Sequence, residues 1–444
     1  VTEVTDELKR LMREFDRELA MLKGRVNGLE ARVGEMEASF FSTTTKLSGR
    51  ADFVIGATGY GGDQTDNLYD ANSNYLGDDG LSFSYRYTLN LNTSFTGKDL
   101  LYTRLRSGNF NTNAFSGKGY TGSQTQLNSS NSNNNILKID KIWYEFPVGD
   151  FRVFVGPEIE NYYMLAAAPG IYKPMLKQFK LGGYYGAYGA STSPGFGVNW
   201  ISDRFANYGD PKLKLSVNYA ANNGDKSNAR SGGGLFTDSS KGKFLSQVAY
   251  GNSQWQVSAA YAYSQRGMTV GGAGTPLGAS KSNFEEANQF NLNAYWQPSQ
   301  SGWVPSISVG WSLSTFNLPQ ETIKGQFDGV RTESQSWLVG LNWKDAFLKG
   351  NRLGFAFGSP QFVTAINGEA TKSDGTTTMY PDDGNMAFEL YYDFQVTDNI
   401  TVTPAVFYLS RPFGQLTGSS AETGGLGADQ FNTLGALVQT SFKF

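Results

Sequence analysis

The 444-residue chain has no cysteine, no histidine, little charge for its size (17% Asp, Glu, Lys and Arg) and no long apolar run. Without cysteine there are no disulfides, thiolate metal sites or thiol nucleophiles. Without histidine, Ser-His-Asp catalysis, imidazole-ligated zinc and imidazole acid–base chemistry lose their central group. No segment approaches the about 18–20 consecutive apolar residues that a membrane helix needs, which excludes a helical membrane protein. A net charge of −3 gives no basic field for nucleic acid. No carboxylate cluster stands at metal spacing, so the residues point to no cofactor, metal or enzyme. The chain opens without a charged n-region and apolar h-region, so any signal peptide is expected to have been removed.

Glycine (53) and the aromatics Phe (31), Tyr (24) and Trp (8) are abundant. A membrane β-barrel accommodates this composition, because its lipid-facing apolar residues alternate with polar lumen-facing ones. Two periodicities divide the chain into residues 1–39 and 40–444. In the first part, Val4, Leu8, Leu11, Phe15, Leu19, Leu22, Val26, Leu29, Val33 and Met36 recur at fours and threes, the seam of an α-helical coiled coil. The extra four from Phe15 to Leu19 is a stutter that locally unwinds the supercoil. Within it, "RVNGLE" and "RVGEME" repeat one arrangement: Arg25, Val26, Leu29 and Glu30, then Arg32, Val33, Met36 and Glu37. Each resembles the trimer motif of short coiled coils, in which the Arg packs over the seam and pairs with Glu of a neighbour. The alternative is a surface helix lying on its own domain. Since the first residues already belong to the helical pattern, the native polypeptide is expected to continue upstream.

From Phe40 onward the period becomes two. In 82–95, Phe83, Tyr85, Tyr87, Leu89, Leu91 and Phe95 share one face, and Ser84, Arg86, Thr88, Asn90 and Asn92 the other. The same alternation runs through 385–394 and the C-terminus. Reading it along the chain gives sixteen candidate strands, from 46–57 to 431–444. Short turns such as "TGKD" (96–99), "PVGD" (147–150) and "NS" (252–253) alternate with long polar stretches, among them 58–81, 110–135 and 160–194. Short turns on one side and long loops on the other are the signature of a 16-stranded antiparallel transmembrane barrel. An even strand count puts both termini on the short-turn side, so the coiled coil is expected in the periplasm. Aromatics bracket the short turns (Phe146 and Phe151, Tyr250 and Trp255, Trp296 and Trp303, Trp343 and Phe347), as in an interfacial girdle.

The stretches "RVNGLEARVGEMEASFFSTTTKLSGRADF" (25–53) and "DKIWYEFPVGDFRVFVG" (140–156), with the terminal Phe444, resemble cyanobacterial outer-membrane porins of the carbohydrate-selective OprB type, some described as iron-uptake porins. The resemblance covers essentially the whole chain. It implies a homotrimer, passive diffusion, and an upstream S-layer-homology domain gripping the peptidoglycan or another cell-wall polymer. It also implies that Phe442 and Phe444, ending the last strand, form the signal read by the barrel-insertion machinery; outer-membrane lipid is the other expected partner.

The alternation assigns candidate pore-lining charges: Arg50, Arg86, Arg104, Arg106 and Arg152 as a basic wall, with Glu145, Glu158, Glu389 and Asp393 as lumen carboxylates. Opposed charges across a pore set ion preference; the alternative is that these groups merely solvate the wall or pair with each other. Segment 160–194, rich in apolar and small residues, reads as a constriction loop folded into the barrel. Met164–Ala168 and Lys173–Phe179 are expected helical turns in it, and Lys173, Lys177 and Lys180 are placed near the narrowest point. Its alternative is packing on the rim or on a trimer neighbour. The acidic loop 61–80 lacks the EF-hand pattern, and "SGGGLF" (231–236) lacks a phosphate-cradle context. The function this supports is passive diffusion of small hydrophilic solutes and inorganic ions. Two others compete with it: a structural protein tethering membrane to wall with a largely closed pore, and an outer-membrane enzyme or energised receptor. The receptor needs about 22 strands and a plug.

Overall fold

The computed structural model describes residues 44–444 apart from 63–76, 112, 119, 184–185, 190–191, 203–208, 238–239, 266–267, 269–273, 280–283, 318–330, 368–369, 372–376, 379, 419–425 and 427. Before residue 44 it describes Glu7, Phe15, Glu18, Met21, Leu22, Lys23 and Val26, all helical. The remaining residues of the heptad segment, including Arg25, Leu29, Glu30, Arg32, Val33, Met36 and Glu37, lie outside the described residues, as does most of the acidic loop.

The strands are β1 (Thr45–Gly62), β2 (Ser82–Thr93), β3 (Leu100–Gly108), β4 (Lys138–Val148), β5 (Phe151–Glu160), β6 (Thr192–Ile201), β7 (Lys212–Ala221), β8 (Gly242–Gly251) and β9 (Trp255–Gln265). They continue as β10 (Glu286–Trp296), β11 (Ser306–Asn317), β12 (Arg331–Lys344), β13 (Arg352–Asn367), β14 (Ala370–Thr371), β15 (Thr377–Thr378), β16 (Met386–Gln395), β17 (Ile400–Ser410) and β18 (Phe431–Lys443). All but β14 and β15, which pair only with each other, form one closed antiparallel barrel of 16 strands. The sheet closes where β1 meets β18, from Arg50 opposite Lys443 to Gly62 opposite Phe431. Among the described residues, each barrel strand is paired with a neighbour on both sides, as a hydrocarbon environment requires.

The barrel is the inverse of a soluble one. Phe53, Phe196, Leu215, Leu292, Val309, Val406 and Leu434 are exposed on the outer face, whereas Asp52, Gln247, Asn291, Ser312 and Gln439 are buried inside. In water, each exposed apolar side chain would cost about 25 cal/mol per Å²; hydrocarbon removes that cost. Two-residue Gly149-Asp150, with Gly149 at φ 60°, makes the tightest of the short turns. Phe151, Tyr250, Trp303 and Phe347 are exposed at that end, and Trp343 Nε1 donates to the Trp303 carbonyl at 2.8 Å.

Strand limits depart little from the expected ones, with two exceptions: β1 runs on to Gly62, past the expected end at 57, and β13 is the longer departure. The strand expected at 351–359 is β13, which runs on to Asn367 and carries Pro360. A register shift against β12 near this proline leaves its missing N–H outside the ladder. At the closing seam, Gly49 N donates to the Phe444 carbonyl (2.7 Å) and Phe444 N to the Gly49 carbonyl (3.2 Å). The Phe444 ring lies on Gly49, where a Cβ would meet it at 2.2 Å, and stacks on Tyr87 at 5.9 Å. Phe442 meets Phe53 edge-on at 5.3 Å.

Candidate functional site

The described residues of 161–191, between β5 and β6, fold into the barrel rather than over it. Backbone without regular structure must still satisfy its polar groups when buried. Here the wall does so. Ser216 Oγ accepts from Ala166 N (2.8 Å), Ser308 Oγ from Ile171 N and Tyr172 N (3.0 and 3.1 Å), and Asn291 Oδ1 from Ala187 N (2.7 Å). Asn293 donates to the Gly182 carbonyl (2.9 Å) and Gln256 to the Ala168 carbonyl (2.7 Å). The buried Lys243 ammonium donates to the carbonyls of Gly186 and Gly189 (3.1 and 3.2 Å). The wall is also thinned beneath the loop. A Cβ on Gly310 would lie 2.0 Å from the Gly182 carbonyl, and one on Gly340 would lie 2.5 Å from the Tyr172 ring.

The expected helical turns are displaced. Short 3₁₀ turns occur at Asn161–Met164, Lys177–Gly182 and Gly186–Tyr188, while Ala168 and Lys173 precede Pro169 and Pro174, which bias the preceding residue away from helix. The described residues of a second loop, 109–137, also turn inward, although its polar sequence is expected on the outside. Asn128 N donates to the Met175 carbonyl (2.7 Å) and Lys177 N to the Gln126 carbonyl (2.8 Å). Phe110, Phe115 and Leu127 are buried in one cluster with Leu176 and Phe179. Those three apolar residues in an otherwise polar stretch were the available signal.

Most assigned charges do face the interior, in ion pairs. Arg50 (2.5 Å) and Arg86 (2.6 Å) share Asp52, which also accepts from Ser441. Arg104 Nε donates to Asp140 (2.6 Å), with Arg106 at 3.6 Å. Arg152 pairs with Glu145, and Asp393 accepts from Arg352 Nε (2.9 Å) and Thr403 (2.7 Å). Asp52, Asp140, and Glu160 with its partner Lys141 (2.8 Å) were not among the assigned residues. Asp52 sits two residues from Arg50, on the same phase, and was legible on that ground.

Two assignments need correction. β5 carries an extra residue against β6 between Gly156 and Ile159, so Pro157 and Glu158 stand exposed and Glu160 reaches the lumen instead. Glu389 points inward but is covered: it accepts from Tyr172 Oη (2.7 Å), Leu176 N (2.7 Å) and Met175 N (3.2 Å). It anchors the loop and faces no open lumen.

Three cavities flank the loop on the charged side. The largest, about 500 Å³, is lined by Arg50, Arg86, Lys173, Arg352 and Asp393 and reaches the short-turn residues Asp345 and Asp398. One of about 230 Å³ is lined by Arg86, Arg104, Arg106, Lys177, Lys180 and Glu160. A third, about 450 Å³, holds Glu145 and Arg152 and reaches Asp150. Arg86 and Asn128 line both the first and the second cavity; Tyr163 lines the second and the third. The three loop lysines are thus divided, Lys173 in one cavity and Lys177 and Lys180 in another. Burial lowers the Lys180 ammonium to about 8, with Glu160 opposing that shift and Lys177, Lys141 and Arg104 adding to it. Tyr102, Trp143, Tyr163 and Tyr162 follow one another in series, their centroids 4.2, 4.9 and 4.7 Å apart.

Residues 3–444 match the carbohydrate-selective porin, OprB family. The chain belongs to that family. An uncharacterized protein of Synechocystis is 30% identical over 441 residues, spanning 92% of this chain and 72% of the relative. One from Nostoc is 29% identical over 438 residues, spanning 91% and 68%. The high-pH structure of Pseudomonas putida OprB shares the fold, with TM-score 0.54 at 13% identity over 90% of this chain and 94% of that one. For a member of the OprB family, the apolar outer band and polar interior described above imply an outer-membrane channel protein for solute diffusion.

Proposed function

We propose that the chain is a trimeric porin through which small hydrophilic solutes and inorganic ions diffuse passively, with loop 161–191 as its constriction. The observation that carries this reading is the inner loop itself. Most of its wall contacts are to hydroxyl and amide side chains of β7 to β12, and the space that remains runs past Arg50, Arg86, Arg104 and Arg106. A wall richer in arginine than in carboxylate favours anions over cations in transit. Trimer formation is supported by Phe15, Leu22 and Val26, which are helical and exposed at 69%, 61% and 45% in the single chain, at seam positions of the heptad pattern. Burying such a stripe requires other copies. With the barrel's short turns on the same side as both termini, the helix would stand in the periplasm. There a preceding domain could engage the wall polymer. Phe442 and Phe444 would serve the insertion machinery before they close the seam.

A second reading, a largely sealed barrel that tethers membrane to wall, is favoured by one observation. Phe110, Phe115, Leu127, Leu176 and Phe179 pack two loops together inside the barrel, with at most 3% exposure. Single-channel recording of the purified protein under a salt gradient separates the two. Closures in steps of three, with a reversal potential on the anion side of zero, are expected of the porin. Silent bilayers from heat-modifiable, folded protein would leave the tether.

A further inference from the structure

We propose that the 230 Å³ cavity between the inner loop and strands β2 and β3 is a binding site for a tetrahedral oxyanion of the phosphate or sulfate class. This rests on the porin reading, since it makes the cavity a station on the solute path. Five cationic side chains line the cavity, Arg86, Arg104, Arg106, Lys177 and Lys180, against one carboxylate, Glu160. Among the described residues, the carboxylates behind the arginines are shared. Asp52 is shared between Arg86 and Arg50, Asp140 between Arg104 and Arg106, and Glu160 is held by Lys141 at 2.8 Å.

A second, independent observation points the same way. Arg106 Nε is buried and has no hydrogen-bond partner among the described residues. A buried guanidinium N–H without an acceptor is destabilising, and an acceptor arriving from the cavity would relieve it. Guanidinium forks meet oxyanions through paired, parallel hydrogen bonds, which a spherical halide cannot accept in the same way. The volume suits the ligand: water occupies about 30 Å³ in the liquid, so 230 Å³ holds an oxyanion with part of its hydration shell. Glu160 keeps the site from becoming a trap. Conduction needs binding strong enough to admit the ion and weak enough to release it, and a carboxylate on the lining weakens retention.

Isothermal titration of inorganic phosphate, and separately of sulfate, into the detergent-solubilised full chain tests the proposal. One saturable site of about millimolar affinity is expected, weakened about tenfold or more in the Lys177→Gln/Lys180→Gln variant. Arg106→Gln is expected to give the same loss while leaving Arg104 paired with Asp140. Heat-modifiable migration on gels shows that each variant keeps its barrel. No saturable heat from the wild-type chain, or an affinity unchanged in both variants, overturns the site. Because binding is read without conduction, a chain that binds phosphate yet carries no current in a bilayer would undo the porin reading and leave the site standing.

Discussion

The wall from β1 to β5 and the wall from β7 to β12 are built from the same alternating strands, yet they present different chemistry to the interior. On the first, Arg50, Asp52, Arg86, Arg104, Arg106, Glu145 and Arg152 face inward and line the cavities or anchor their arginines. On the second, the inward residues that meet the loop are Ser216, Gln256, Asn291, Asn293, Ser308 and Asn342, with Lys243 the exception. Small hydroxyls and amides satisfy an irregular backbone without bringing charges into a dry contact, whose desolvation would cost several kcal/mol per ion. Charged groups, by contrast, keep their hydration where solvent remains. The loop therefore lies on the amide wall, and the open space lies along the ionic one.

Two contacts beneath the loop give the largest expected effects. Glu389 is a carboxylate beneath the loop, so Glu389→Ala would orphan Tyr172 Oη, Leu176 N and Met175 N at about 1–3 kcal/mol each. Loosening of the loop is expected, seen as higher and noisier single-channel conductance from a barrel that remains heat-modifiable. Gly310→Val comes next. A side chain there overlaps the Gly182 carbonyl, so the loop must lift while the strand ladder persists. Trypsin is then expected to cleave after Lys180 in folded variant but not in folded wild type.

A smaller effect follows from charge. Lys180 loses its proton as pH rises through about 8, so anion preference should be full at about pH 6 and reduced at about pH 9. Reversal potentials across that range should move toward cation preference in the wild type and less in Lys180→Gln. The smallest effect is Ser308→Ala, which removes one acceptor shared by two loop N–H groups and should lower the unfolding midpoint slightly, by the equivalent of about 1 kcal/mol.

How far these features could be read beforehand depends on the range of the interaction. Alternation is local, so Phe83 to Leu91 on one face and Arg86 to Asn92 on the other sufficed to place β2 and its lumen side. Arg50, Arg86, Arg104, Arg106 and Arg152 followed from the same rule. Glu158 did not, because a bulge adds a residue and shifts the phase, and no local pattern marks that shift. The fate of Glu389 depends on Tyr172, more than two hundred residues away, and the inward course of 109–137 depends on Leu176 and Phe179 meeting Phe110 and Phe115. The glycines Gly310 and Gly340 read as ordinary strand residues until the loop is laid on them.

The central claim is that solutes pass along the ionic wall and are excluded from the amide wall. The absence of native cysteine makes it directly testable with single engineered thiols and a charged methanethiosulfonate reagent during bilayer recording. Asn128→Cys, at the junction of two cavities, should react and lose current, whereas Asn291→Cys, buried under the loop, should not. Rapid block at Asn291→Cys with none at Asn128→Cys would place the path on the opposite side and contradict the account.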